Sequence, residues 1–183
     1  MRYLERYQNR INELILQQNQ NDFDETIKLI RKCHSRKGKL IFVGNGGSAA
    51  MASHLSVDFT KACRIRSVNF NEADLLTCFA NDYGYENWVS EALRAYADTD
   101  DLVFLISSSG ESKNILNAAN FCTNQGIDLI TLSGFSVDNS LRAKGSVRMW
   151  VDSKEYNFVE MTHHIWLVAL VDYIAHGKNL FDK

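Results

Sequence analysis

Apolar positions at the start of the chain recur at helical spacing. Tyr3, Leu4, Tyr7, Ile11, Leu14 and Ile15 form one stripe and Phe23, Ile27, Ile30 and Cys33 a second, which predicts two leading helices. The period then changes. Residues 39–43 (KLIFV), 102–106 (LVFLI), 127–132 (IDLITL) and 147–151 (VRMWV) are short, apolar and rich in branched side chains, the pattern of buried strands, with a shorter strand expected at 67–70. Helices are predicted between them at 48–62, 85–96 and 112–125, the last stopped by Gly126, and one long closing helix runs from 156 to Gly177. Such alternation implies right-handed crossovers and an α/β fold with a mostly parallel sheet covered on both faces. Ligands in that architecture sit where strand carboxyl ends meet helix amino ends.

Composition narrows the picture. The 183 residues fit one core, and 45% hydrophobic with 23% charged residues is ordinary globular usage. A formal charge of −2 without a run of like charges excludes the electrostatic footprint of a general nucleic-acid binder. Cys33, Cys63, Cys78 and Cys122 lack CxxC spacing, which reads as free thiols in a reducing compartment. The amino terminus is amphipathic rather than signal-like, and the longest apolar run, 165–171, is far shorter than the roughly 20 residues a bilayer needs, so a soluble cytoplasmic protein is expected.

Two loops carry the candidate chemistry. The first strand ends in Gly44-Asn45-Gly46-Gly47-Ser48 directly before a helix, where glycines admit a ligand close to the backbone and the helix end offers free N–H donors. No lysine follows, so this is not a nucleoside-triphosphate loop. Gly44, Gly46 and Ala49 also fit a loose dinucleotide fingerprint, and a bare strand-to-helix turn is an equal reading of this loop alone. The second loop, Ser107-Ser108-Ser109-Gly110-Glu111-Ser112, follows another strand and offers four hydroxyls in six residues. A solvated serine turn is its bland reading. Two such loops at equivalent strand ends favour a phosphomonoester on a polyol over a dinucleotide, which would use only the first.

GNGGSAAMASHLSVDF, FANDYGYENW and ISSSGESKNI, in this order, resemble the phosphoheptose isomerases of the sugar isomerase (SIS) domain family over nearly the whole chain. The resemblance implies one flavodoxin-like, three-layer SIS domain over residues 1–183 with a helical amino-terminal extension. It implies conversion of sedoheptulose 7-phosphate to a heptose 7-phosphate in heptose and surface-polysaccharide synthesis, by a homotetramer with sites between subunits. It assigns substrate contacts to Asn45, Gly46, Gly47, Ser48, Ser107, Ser108, Ser109 and Ser112, with Asn81 and Asp82 as further sugar contacts; for these two a turn is the competing reading.

Shifting a carbonyl between C1 and C2 needs a base and an acid on either side of the bound carbons. In the family a glutamate and a histidine fill these roles, and some members bind zinc. Here His54 and Asp58, four residues apart on one helix face, stand at two of the four zinc-ligand positions, whereas Val159 and Leu167 replace the glutamine and the catalytic histidine. His163 and His164, one turn earlier, lie near the face of Leu167, and Glu160 stands close enough along the helix to orient an imidazole. Asp58 is therefore expected as base, His164 or His163 as acid, His54 as an assistant and Glu160 as a substrate contact. A non-catalytic SIS protein that senses phosphosugars or binds a replication initiator is the alternative.

Overall fold

The computed structural model describes residues 2–177 and Leu180. The chain order opens with α1 (Tyr3–Ile15), α2 (Gln20–Ser35), β1 (Leu40–Gly44), α3 (Gly47–Lys61), β2 (Ser67–Asn69) and α4 (Ala73–Tyr83). It continues with α5 (Trp88–Tyr96), β3 (Leu102–Ser107), α6 (Lys113–Gln125), β4 (Asp128–Ser133), β5 (Val147–Trp150) and α7 (Tyr156–His176). The described strands form one parallel sheet in the order β2-β1-β3-β4-β5.

Because successive strand residues point to opposite faces, the apolar runs feed two cores at once. Leu40, Phe42, Leu102, Phe104 and Ile106 join the core formed with α2, α3 and α7. Ile41, Val43, Val103 and Leu105 join the opposite core, with α5 and α6 and the half-buried Leu75, Leu76 and Phe79 of α4. Three layers result. Phe42 centres the first core, its ring 4.5 Å from that of Phe104 and 5.5 Å from that of Phe59. The α1 helix lies outside this layer on α7, where the Trp166 indole donates to the Ile15 carbonyl at 2.9 Å and Tyr7 packs 4.7 Å from Phe158.

The α4 helix is absent from the sequence expectation, which read Asn81 and Asp82 as sugar contacts with a turn as the competing reading. No residue of α4 is fully buried; Leu75, Leu76 and Phe79 are half-covered on one face. The Glu72 carboxylate caps it by accepting from the Leu75 N–H at 3.0 Å, and Gly84, at φ +84°, ends it. All four cysteines are free, and desolvation pushes the buried Cys33 and Cys122 thiols up to about 11 and about 12. No described helix is long and apolar enough to cross a membrane.

The topology selects a place for a ligand. The chain leaves β1 for β2 on one side and returns as β3 on the other. The carboxyl ends of β1 and β3 therefore flank a topological switch point, where open parallel sheets leave a crevice.

Candidate active site

Both loops line the same crevice. Asn45, Gly46, Gly47 and Ser48 from the end of β1, and Ser107, Ser108, Ser109 and Ser112 from the end of β3, enclose a cleft of about 250 Å³ with Ile106, Tyr156 and Glu160. Ser107 and Ser112 hydrogen-bond through their hydroxyls at 3.2 Å, and the Ser109 hydroxyl accepts from the Glu111 N–H at the same distance. Ser108 lines this cleft, and its hydroxyl is buried with no partner among the described residues. A buried polar atom without a partner costs about 1 to 3 kcal/mol, so this geometry is suited to a ligand that would complete it. The turn is held from behind, where Gly134 donates to the Ser108 carbonyl at 2.9 Å and Leu141 to that of Gly110 at 3.0 Å.

Glycine is required at two points of the first loop. Gly46 caps α3 at φ +55°, ψ −122°, a conformation strained for any side chain-bearing residue. At Gly47 the constraint is space: an added methyl would meet the Glu160 carboxyl carbon at 2.7 Å. The missing side chain lets a carboxylate from α7 reach the amino end of α3, and its burial there raises the Glu160 carboxyl above the usual range.

One helical turn beyond Glu160, roughly 6 Å along the axis, α7 presents His164. Its Nε2 lies 2.8 Å from His54 Nδ1, and His54 Nε2 lies 3.0 Å from Asp58 Oδ2. With His54 neutral, its Nε2–H donates to Asp58 and its Nδ1 accepts from His164, which leaves the His164 Nδ1 lone pair open. Burial first, and the neighbouring His54 second, hold the His164 imidazole below its ordinary value, while Asp58 opposes them. The neutral ring is thus favoured.

Four expectations need correction. His163 is fully buried, bonded through Nε2 to the Ser133 carbonyl at 3.0 Å, and held down to about 4 by desolvation, so it faces the core rather than the cleft. Asp58, expected as the base with His54 assisting, has its carboxylate engaged by His54. Glu160 orients neither imidazole, since no hydrogen bond joins it to His163 or His164 among the described residues. Asn81 and Asp82 lie in α4, exposed, with Asn81 donating to Asp82 at 2.9 Å, and, like His54, Asp58 and His164, they are not among the residues that line the cleft. Residues outside the sequence expectation also enter: Tyr156 and Ile106 line the cleft, while Asn114 and Tyr85 bond to Asn45.

The zinc set of the resemblance does not fit these residues. Val159 and Leu167, at two of its four positions, are fully buried in the apolar core and carry no donor atom. His54 has both ring nitrogens engaged by Asp58 and His164, and no group of three or more His, Cys, Asp or Glu is arranged to hold a metal among the described residues. The expectation for His54 and Asp58 as zinc ligands is withdrawn on that ground.

A model of the SIS domain matches residues 2–134. The chain belongs to the SIS-domain family. Among curated SIS relatives, the phosphoheptose isomerase of Haemophilus ducreyi is 35% identical over 115 residues, 60% of this chain and 59% of that protein. That of Thermodesulfovibrio yellowstonii is 28% identical over 160 residues, 84% of this chain and 79% of the relative. The matched stretch spans about three fifths of the Haemophilus ducreyi relative and 63% of that of Cytophaga hutchinsonii, which is 32% identical. The solved phosphoheptose isomerase of Neisseria gonorrhoeae superposes with a TM-score of 0.77 at 26% identity, covering 84% of this chain and 86% of that one. That of Francisella tularensis, at 20% identity, shares the fold with a TM-score of 0.83 over 95% of this chain and 98% of its own. The SIS match stops before α7, so Glu160 and His164 lie outside it.

Proposed function

We propose that this protein is a phosphosugar ketose–aldose isomerase and that its substrate is sedoheptulose 7-phosphate, converted to the heptose 7-phosphate. The reading rests on one observation above all: two donor-rich loops converge on one cleft at the switch point, with the unpartnered Ser108 hydroxyl buried there. The phosphate would take the serine hydroxyls and the N–H groups opening α6, and the sugar would extend across Gly46 and Gly47 toward α7. The curated relatives named phosphoheptose isomerase support the choice of sugar.

In the proposed reaction His164 Nδ1 removes a proton from C1 while the Glu160 carboxyl gives one to the C2 carbonyl oxygen, which yields an enediol. Glu160 then takes the proton from the C1 hydroxyl as that carbon becomes the aldehyde, and the His164 imidazolium returns a proton to C2. Protons balance without any cofactor. His54 and Asp58 act behind His164, stabilising its charged form through the hydrogen-bonded line. A tetramer with sites near subunit contacts belongs to the same proposal; an apolar groove between α1 and α7, lined by Leu4, Tyr7, Ile11, Met161 and Ile165, supports it. Free thiols suit a reducing, cytoplasmic setting.

Incubation with sedoheptulose 7-phosphate in D₂O, followed by NMR, tests the reading: deuterium should enter at C1 and C2. The buried Leu167, at the position to which the family resemblance assigns the catalytic histidine, favours a second reading, a non-catalytic phosphosugar sensor. Binding without exchange would establish that one, and no binding would overturn both. Gly47→Ala provides a finer check. The new methyl displaces only the end of a flexible side chain, so unfolding temperature should stay nearly constant while exchange slows by about tenfold or more, because the acid is moved off its position.

A further inference from the structure

Asn45 lines the cleft, yet most of its amide is already engaged. An asparagine amide has two N–H donors and two acceptor lone pairs. Asn45 Nδ2 donates to Asn114 Oδ1 at 3.0 Å, and Asn45 Oδ1 accepts from Asn114 Nδ2 at 2.8 Å and from the Tyr85 hydroxyl at 3.2 Å. Both lone pairs and one donor are used. One N–H remains.

Asn114 itself is buried at 2% exposure in the first turn of α6, just after the serine loop, and does not line the cleft. We propose that Asn114 is a positioning residue: its reciprocal amide pair locks Asn45 so that it can offer a ligand only a donor. The pair also ties the glycine loop to the helix that carries the serine loop, so the two halves of the site keep one separation. Asn45 then recognises an acceptor oxygen on the sugar, such as the open-chain carbonyl whose charge grows during enolisation, whereas the phosphate is left to the serines. This deepens the phosphosugar reading and rests on it.

Calorimetric titration of the full-length protein with sedoheptulose 7-phosphate, and separately with inorganic phosphate, tests the assignment. Asn114→Ala should weaken the sugar phosphate about tenfold, the worth of one well-placed hydrogen bond, and leave inorganic phosphate within about twofold. Asn45→Ala should do the same, and the double variant should bind no more weakly than either single one, because Asn114 acts through Asn45. Equal loss for both ligands, or additive losses in the double variant, would overturn the proposal. Tyr85→Phe, at an exposed residue, gives a parallel cycle that does not disturb the interior. It should cost about threefold in the wild-type background and nothing once Asn45 is alanine; equal costs in both backgrounds would count against the lock. Wild-type protein that binds neither ligand would overturn the phosphosugar reading itself, an outcome distinct from a failed cycle.

Discussion

His164→Gln is expected to slow ketose–aldose interconversion by about 10² to 10⁴, the usual worth of a positioned acid–base group, while sedoheptulose 7-phosphate still binds. Glutamine can keep a donor toward His54 Nδ1, so the hydrogen-bonded line that ends at Asp58 keeps its partner. What it lacks is an open nitrogen lone pair for the carbon-bound proton. The phosphate cradle is built from different elements, the ends of β1 and β3, and should be unaffected. Stopped exchange with an unchanged dissociation constant supports the assignment. Wild-type rates in the variant would remove His164 from the chemistry. Asp58→Asn should fall between the two, since it weakens support for the imidazolium without removing the ring that accepts the proton.

The other large effect concerns stability rather than activity. His163 is fully buried and its imidazole is lowered from 6.5 to about 4, chiefly by desolvation, with the Ser133 carbonyl opposing. Below pH 6.5 the unfolded chain takes up a proton that the folded chain refuses until about pH 4. The folded state is therefore fully supported above 6.5 and loses stability as pH falls between those values. At about 1.4 kcal/mol per pH unit the loss reaches roughly 3 kcal/mol. His163→Gln can still donate to the Ser133 carbonyl but does not titrate. Urea unfolding at pH 7 and pH 4 should show a drop in the wild type exceeding that of the variant by this amount. Equal drops would show that His163 titrates normally or is not buried in solution.

The layers were legible because buried parallel strands write themselves as branched apolar runs: 39–43 and 102–106 fall almost residue for residue on β1 and β3. The glycine and serine loops were legible because the two stand at equivalent strand ends, where open parallel sheets bind ligands. Local spacing alone did not settle α4: Leu75, Leu76 and Phe79 share one half-covered helix face, but Asn81-Asp82 before Tyr83-Gly84 also reads as a turn. Nor could it separate His163 from His164. Neighbours on a helix differ by about 100° in direction, and which of the two meets α3 depends on how α7 is rotated against the sheet. The Asn45–Asn114 pair joins residues 69 apart in sequence, and only the adjacency of β1 and β3 brings them together.

Titration of isotope-labelled protein with sedoheptulose 7-phosphate, followed through backbone amide resonances, probes whether the two loops form one site. Amides of residues 45–48 and 107–112 should shift together and saturate with a single dissociation constant. Shifts confined to one loop, or two different saturation curves, would contradict a shared cleft for the sugar and its phosphate.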